Sequence, residues 1–118
     1  APGTLCNAGT SAILKVEVAG NPREALLDTG ASRSFISPRT VERLQLKTQR
    51  LDEECLFTIS NGEQLRISRV VRGLVMWCGD VRLIGYFLMG PVPYDLVVGL
   101  DWLHKRHGPS TLISYTRT

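Results

Sequence analysis

Short runs in which apolar and polar residues alternate, separated by turn-forming residues, make up most of the chain. The alternation over residues 12–19 predicts a strand, and the apolar run that follows Arg23 predicts a second strand over residues 23–27. Gly20-Asn21-Pro22 lies between them and predicts the turn that joins them. Residues 34–37 predict a third, shorter strand, so this part of the chain is expected to be rich in β-structure.

A short helix is expected directly after these strands. Ser37 is a residue type that caps the amino ends of helices, and Pro38 is favoured at the first helical position. Over residues 39–46, Val41 and Leu44 then fall on one side of the helix. The pattern therefore predicts one short amphipathic helix after residue 37.

A hairpin is expected in the middle of the chain. The strand pattern returns from Cys55, and Asn61-Gly62 separates the runs 56–59 and 64–67. This dipeptide favours a type I′ turn because both central residues of that turn need positive φ. The returning strand is expected to extend through Val70-Val71 to Trp77. The pattern therefore predicts an antiparallel pair of strands here.

The remaining pattern predicts more short elements and one architecture. In chain order we expect a turn at residues 78–80, a strand at 81–89, a short buried strand at 96–98, a helix at 100–107 and an edge strand at 111–115. Many short strands are typical of closed, barrel-like sheets. The sequence therefore predicts a single mainly β domain over residues 1–118, with one or two short helices.

Composition excludes several classes of protein. Net charge is +3 and the basic residues are dispersed, which favours a solvated, Arg-rich exterior over a specific nucleic-acid surface. Cys6, Cys55 and Cys78 are odd in number and lack CxxC spacing, so neither a disulfide framework nor a zinc site is expected. His104 and His107 have no further ligand at a suitable spacing and are expected on a solvated helix face. We expect no metal, no cofactor and no membrane span.

Reduced thiols indicate a cytoplasmic, intracellular protein. The first residues, Ala1-Pro2-Gly3-Thr4, lack a starting Met, and they indicate a processed product or an excised domain.

Asp28-Thr29-Gly30 is the main candidate for chemistry. It follows the apolar run 25–27 and precedes Ala31-Ser32, so a strand would deliver a carboxylate into a tight glycine turn. The same pattern also fits a turn-forming Asp at a strand end. No second Asp-Thr-Gly or Asp-Ser-Gly occurs in the 118 residues. If Asp28 acts through a pair of carboxylates, the second must come from another copy of the chain.

Three blocks, taken in order, resemble the retroviral-type aspartic proteases, or retropepsins. The first is the Asp-Thr-Gly turn, and the second is the Asn61-Gly62 hairpin, where that family places its flap. The third block, residues 90–103, is similar to the family's Pro-rich substrate loop, its apolar-apolar-Gly strand and its helix. Gly-Leu-Asp-Trp-Leu at residues 99–103 resembles the gypsy-type LTR retrotransposons and their domesticated relatives. Where viral enzymes often have an interface ion pair, this chain has Ser32 and Leu100.

The resemblance implies a retropepsin-like closed β-barrel with a flap hairpin, and a homodimeric endopeptidase that cleaves polypeptide without a cofactor. It implies catalytic roles for Asp28, Thr29 and Gly30, with the two Asp28 carboxylates sharing a proton and activating water. It implies substrate-binding roles for Ala31, Ser32, Ile59, Ser60, Asn61, Gly62, Pro91, Val92, Pro93 and Tyr94. The natural substrate would be the chain's own retroelement polyprotein.

Two alternatives remain open from the sequence. A catalytically silent module with the same fold could serve as a dimerisation scaffold, and a basic domain could bind nucleic acid. The lack of a contiguous Lys/Arg patch speaks against the second. In viral relatives both chain ends interleave in one sheet, and residues 111–115 with residues 4–6 are the candidates for that role.

Overall fold

The described part of the chain folds into strands, most of them short, and one short helix. The computed structural model describes the backbone of residues 3–5, 11–28, 30–59, 62–100 and 113–114, and the side chains of residues 12–28, 30–58 and 62–100. In chain order the described elements are β1 (Gly3–Leu5), β2 (Ser11–Val18), β3 (Asn21–Asp28), β4 (Phe35–Ile36), α1 (Pro38–Arg43), β5 (Gln49–Ile59), β6 (Gln64–Cys78), β7 (Val81–Met89), β8 (Leu96–Val98) and β9 (Ile113–Ser114).

Six of the strands form a ring. The order in the sheet is β1-β5-β6-β2-β3-β8-β4-β7-β9, and β6 also pairs with β7, which closes the part from β6 to β7 on itself. The predicted mainly β architecture is thus confirmed as a ring of strands, with one short helix among the described residues. The second predicted helix, over residues 100–107, lies outside the described residues apart from its first position. In the described part of the chain, α1 is too short to cross a membrane.

The ring holds two hydrophobic clusters because its central strands are buried on both faces. On β8, Leu96 and Val98 belong to the first cluster and Val97 to the second. On β4, Ile36 belongs to the first cluster and Phe35 to the second, where its ring meets that of Phe57 edge-on at a centroid distance of 5.0 Å. Burial on both faces explains why β8 is a continuous apolar run and does not alternate.

The turn between β2 and β3 lies one residue earlier than the sequence predicts. Ala19 and Gly20 form it, with φ of 51° and 79°, and Asn21 and Pro22 already belong to β3. Two positive φ values suit a two-residue hairpin turn because they match the twist of the strands. The side-chain amide of Asn21 stabilises the turn by donating to the carbonyl of Ala19 at 3.0 Å.

Helix α1 starts as predicted and ends early. Ser37 caps it, because its hydroxyl accepts from the backbone N–H of Thr40 at 3.1 Å. The helix ends at Arg43, three residues short of the predicted end at Leu46. Gln45 has φ of 51°, and the N–H of Leu46 turns back to a helix carbonyl at 3.0 Å, as in a left-handed C-terminal cap.

Strand β5 is longer than predicted. It starts at Gln49, whereas the pattern predicted a strand only from Cys55 onwards. The first part of the strand contains the acidic residues 52–54, which interrupt the alternating pattern that would have predicted it. In the same region the register of β5 with β6 shifts between Arg50 and Cys55. A bulge in an edge region accommodates exposed charges that a central strand would exclude.

Both described ends of the chain pair with strands of the same chain. β1 runs parallel to the last residues of β5, with Leu5 opposite Ile59. β9 runs antiparallel to the start of β7, with Ser114 opposite Val81. The predicted edge strand over residues 111–115 is therefore present at Ile113–Ser114.

Candidate active site

The ring of strands delivers Asp28 into a buried position. Asp28 is the last residue of β3, which lies between β2 and β8 and pairs in parallel with β8 through Leu27 and Val98. The residue is only 3% exposed. A carboxylate at the end of a central strand has little freedom to move, because both neighbouring strands fix the backbone that carries it.

The turn after Asp28 folds back on its carboxylate. The backbone N–H of Gly30 donates to Asp28 Oδ1 at 2.8 Å, and the N–H of Ala31 donates to the Asp28 carbonyl at 3.1 Å. Ala31 is fully buried, and Gly30 is half-buried. Thr29 lies outside the described residues. The turn therefore orients the carboxylate through the main chain, as the sequence pattern predicts for this motif.

Gly99 lets a second segment pack against this turn. A Cβ at residue 99 would lie 2.6 Å from the carbonyl oxygen of Ala31 and would also collide with the carbonyl oxygen of Arg33. Directly after Gly99, the N–H of Leu100 donates to the Ala31 carbonyl at 2.8 Å. Only glycine permits so close an approach of two backbones. The segment after β8 thus packs against the turn that follows Asp28 and stabilises it.

Ser34 is a positioning residue that the sequence did not reveal. Its side chain is fully buried, and its hydroxyl accepts from the N–H of Gly99 at 3.0 Å. Its carbonyl accepts from the N–H of Leu88 on β7 at 2.9 Å. One buried serine therefore joins the active-site turn to β7 and to the segment after β8. A lone serine before an apolar pair gives no sequence signal of such a role.

The Asp28 carboxylate has no basic partner in the described part of the chain. Among the described residues no cation forms an ion pair with it, and the backbone N–H of Gly30 is the donor that orients its carboxylate. The same residues contain no cluster of His, Cys, Asp and Glu that could hold a metal ion. A buried carboxylate with a fixed orientation is suited to accepting or donating a proton.

Two of the predicted substrate-binding regions are described only in part. Ser32 is half-buried beside the turn. At the flap, the pairing of β5 with β6 extends up to Thr58 and Gln64, and Gly62 between them has φ of 88°, the positive value expected of it. Ser60 and Asn61 lie outside the described residues, as does the side chain of Ile59.

The predicted substrate loop divides between surface and core. Val92 is 9% exposed and belongs to the second hydrophobic cluster together with Ala31. Pro91 and Pro93 are exposed, and Tyr94 is half-buried. The structure therefore brings Val92 to the same cluster as the active-site turn, and it leaves the two prolines at the surface.

A pair of cations lies beside the turn and was not predicted. Arg33, directly after Ser32, places its guanidinium 5.9 Å from the ring centroid of Tyr86, and Arg72 approaches the same ring at 5.5 Å. Cation–π contacts of this kind join β6 and β7 to the segment after the turn. Sequence alone could not reveal them because the three residues are far apart along the chain.

Two comparisons with known proteins agree with this geometry. A family model described as "Retroviral aspartyl protease" matches residues 7–116. Among solved structures, the chain is similar to the retroviral protease-like domain of Ddi1 from Leishmania major, with 24% sequence identity and a TM-score of 0.59. That match covers 83% of this chain and 73% of the other, and at this identity it shows the fold alone. No curated protein matches the chain.

Proposed function

Since the chain belongs to the retroviral aspartyl protease family, we propose that it is an aspartic endopeptidase that hydrolyses peptide bonds as a homodimer. The observation that carries the proposal is the placement of Asp28. The residue is 3% exposed at the end of β3, and the N–H of Gly30 donates to Oδ1 of its carboxylate. The chain supplies one such turn, so a pair of carboxylates requires two copies.

In the proposed dimer, Asp28 and the partner's Asp28 face each other across the two-fold axis. Two carboxylates a few ångströms apart do not both ionise readily, so the pair holds one proton over an acidic pH range. The ionised carboxylate takes a proton from a water molecule, whose oxygen attacks the carbonyl carbon of the peptide bond. The protonated carboxyl group donates its proton to the carbonyl oxygen, which gives a tetrahedral gem-diol. The proton gained from water then passes to the nitrogen as the C–N bond breaks, and a gem-diol hydroxyl returns its proton to the other carboxylate, so that the pair again holds one proton.

The substrate in this proposal is an extended polypeptide that binds under the flap. Backbone groups near Ile59 to Gly62 would pair with it as an added strand, and closure of the flap would exclude water. Apolar side chains beside the cleaved bond would contact the loop around Val92 and Tyr94. We further propose that the chain derives from a gypsy-type LTR retroelement and processes the polyprotein that contains it.

A second candidate function is a scaffold that keeps the fold and the dimer without turnover. One observation favours it: β1 already pairs with the flap end of β5, opposite Phe57, Thr58 and Ile59. That edge of β5 is where an added substrate strand would lie. If β1 stays in place, it competes with substrate for the same backbone groups.

Peptide cleavage by the wild type and by Asp28→Asn tests the proposal. Both proteins are incubated with a peptide library at high protein concentration, from about pH 4 to about pH 7, where a shared proton is expected. The substituted side chain keeps a carbonyl oxygen that can accept from the N–H of Gly30, so the fold and the dimer should persist while cleavage is lost. Equal cleavage by both proteins would refute the role of Asp28.

A truncated chain that lacks residues 1–5 separates the two candidate functions. If the chain is a protease with β1 as a competitor, truncation should lower the KM for peptides and leave kcat unchanged. If neither the full chain nor the truncated chain cleaves any peptide, while sedimentation shows a dimer in both, the scaffold is the better account.

A further inference from the structure

A concavity lies at the end of β3 that is remote from Asp28. It has a volume of about 420 Å³ and opens between the β2–β3 hairpin and helix α1. Lys15 and Arg23 contribute from the hairpin, and Arg39 and Arg43 contribute from one side of α1, where residues four apart are neighbours. The walls of the concavity therefore carry four positive charges, from β2, β3 and α1.

None of these four cations is held in an ion pair by a described acidic residue, although Glu24 and Asp95 lie in the same lining. Within the described part of the chain none of them forms an ion pair, and Arg23 donates only to the carbonyl of the adjacent Pro22, at 2.7 Å. Elsewhere on the surface Arg66 pairs with Glu54 at 3.8 Å. Charges that converge on a concave surface without partners raise the local potential and attract an anion.

Asp95 fixes the two walls relative to each other. Its Oδ1 accepts from the hydroxyl of Thr40 on α1 at 2.8 Å, and its Oδ2 accepts from the backbone N–H of Glu24 on β3 at 3.1 Å. Its carbonyl accepts from the N–H of Ser37 at 3.0 Å. Both carboxylate oxygens are thus held by neutral donors, and the shape of the concavity is set before any ligand arrives.

The balance of charge favours an anionic ligand. Glu24 and Asp95 are the two acidic residues of the lining, so four positive charges face two negative ones. Asp95 is already engaged in holding the walls. The guanidinium groups of Arg39 and Arg43 suit carboxylates in particular, because their planar donors can bind both oxygens of one carboxylate.

The concavity is separate from the catalytic turn. Arg23 and Asp28 belong to the same strand and are five residues apart, which places them about 17 Å from each other along β3. A ligand in the concavity would therefore not touch the Asp28 carboxylate.

We propose that this concavity binds an acidic segment of a polypeptide, with Arg39 and Arg43 as its principal contacts. A polypeptide is favoured over nucleic acid on two grounds. None of the described lining residues is aromatic, so the lining offers no aromatic ring on which a base could stack. The two lining carboxylates would also repel a continuous row of phosphates, whereas an acidic peptide can place neutral residues opposite them. The proposal is independent of catalysis.

Direct binding of hexaglutamate tests it. Fluorescein-labelled hexaglutamate is titrated with full-length Asp28→Asn protein, in which no cleavage is expected, and anisotropy is recorded with hexaglutamine as the uncharged comparison. We expect saturable binding of hexaglutamate only, weakened several-fold when salt is raised from about 50 mM to about 200 mM.

A charge-matched pair of variants locates the site. Arg39→Glu/Arg43→Glu should weaken binding by about tenfold or more. Arg50→Glu/Arg69→Glu, which changes net charge equally at two exposed residues outside the lining, should weaken it less than about threefold. Arg39→Gln/Arg43→Gln repeats the test without charge reversal, in case the first variant folds poorly.

Three outcomes would overturn the proposal. The first is no saturable binding of hexaglutamate by a protein whose circular dichroism shows it folded. The second is equal loss of binding in the two charge-matched variants, which would indicate a response to net charge alone. The third is tighter binding of a hexathymidylate oligonucleotide than of hexaglutamate, which would assign the surface to nucleic acid.

Discussion

The two ends of strand β3 are built on opposite principles. At one end Asp28 is buried, its carboxylate accepts from the N–H of Gly30, and Gly99 allows main-chain atoms to approach the turn closely. At the other end Arg23 lies in a concavity whose walls are long, charged side chains. The structure at the Asp28 end is determined by the path of the backbone, whereas the properties of the Arg23 end are determined by the charges of its side chains.

We therefore expect substitutions at the Asp28 end of β3 to affect stability, and substitutions at the Arg23 end to affect the proposed ligand binding. Changes of shape at the Asp28 end should cost folding free energy, because buried backbones have no room to adjust. Changes of charge at the Arg23 end should cost little, because exposed side chains can move into solvent. Substitutions can therefore be ranked by how strongly each one tests this comparison.

Gly99→Ala should have the largest effect. The new Cβ would collide with the carbonyl oxygens of Ala31 and Arg33, and both are backbone atoms that the surrounding turn keeps in place. We expect a loss of about 3 kcal/mol or more in the free energy of unfolding, measured by urea denaturation.

Gly73→Ala is the matched control for that substitution. Gly73 has φ of 64°, but no heavy atom lies within 4 Å of the position a Cβ would take. Alanine there should cost only the strain of a positive φ, about 1 kcal/mol. Equal losses for the two variants would contradict the close approach at Gly99, because its φ is not in the left-handed region and alanine there carries no strain of that kind.

Ser34→Ala should have the next largest effect. It removes the acceptor for the N–H of Gly99 in a site where Ser34 is fully buried, so water cannot easily replace it. We expect a loss of about 2 kcal/mol, in the range for a buried donor left without its partner. Ser34→Thr, which keeps the hydroxyl, is the comparison, and a loss confined to Ser34→Thr would show that space matters and the bond does not.

Asp95→Ala should weaken the link between helix α1 and β3. It removes the acceptor for the Thr40 hydroxyl, which is buried, and for the N–H of Glu24, which is exposed and can turn to water. We therefore expect a smaller loss of about 1 kcal/mol by thermal denaturation. A loss as large as that for Gly99→Ala would contradict the view that this end tolerates change.

The sequence predicted the backbone-built end well and the charged end poorly. A glycine turn after an apolar strand is a local pattern, so the placement of Asp28 at the end of β3 could be inferred from residues 25–30 alone. The approach of Gly99 to that turn joins residues that are distant along the chain. No local sequence pattern predicts such a contact. The family resemblance identified residues 90–103 as a related segment, but it did not indicate that Gly99 contacts the turn after Asp28.

The boundaries that differ from prediction have local physical causes. Helix α1 stops early because Gln45 takes a left-handed conformation, which no periodicity of apolar residues predicts. The start of β5 was missed because residues 52–54 are acidic, and charge is a weak guide to structure at a bulge. The concavity was missed because Lys15, Arg23, Arg39 and Arg43 are dispersed in sequence and meet only in the fold.

Among these substitutions, Arg39→Gln/Arg43→Gln should have the smallest effect on stability. Both side chains are exposed, and within the described residues neither forms an ion pair that the substitution would remove. Loss of two like charges from one side of α1 relieves repulsion, and Gln is nearly as good a helix former as Arg. We expect the free energy of unfolding to change by less than about 0.5 kcal/mol in urea denaturation. A loss above about 1 kcal/mol would mean that these arginines hold the helix in place, and the separation between a structural and a recognising end of β3 would then fail.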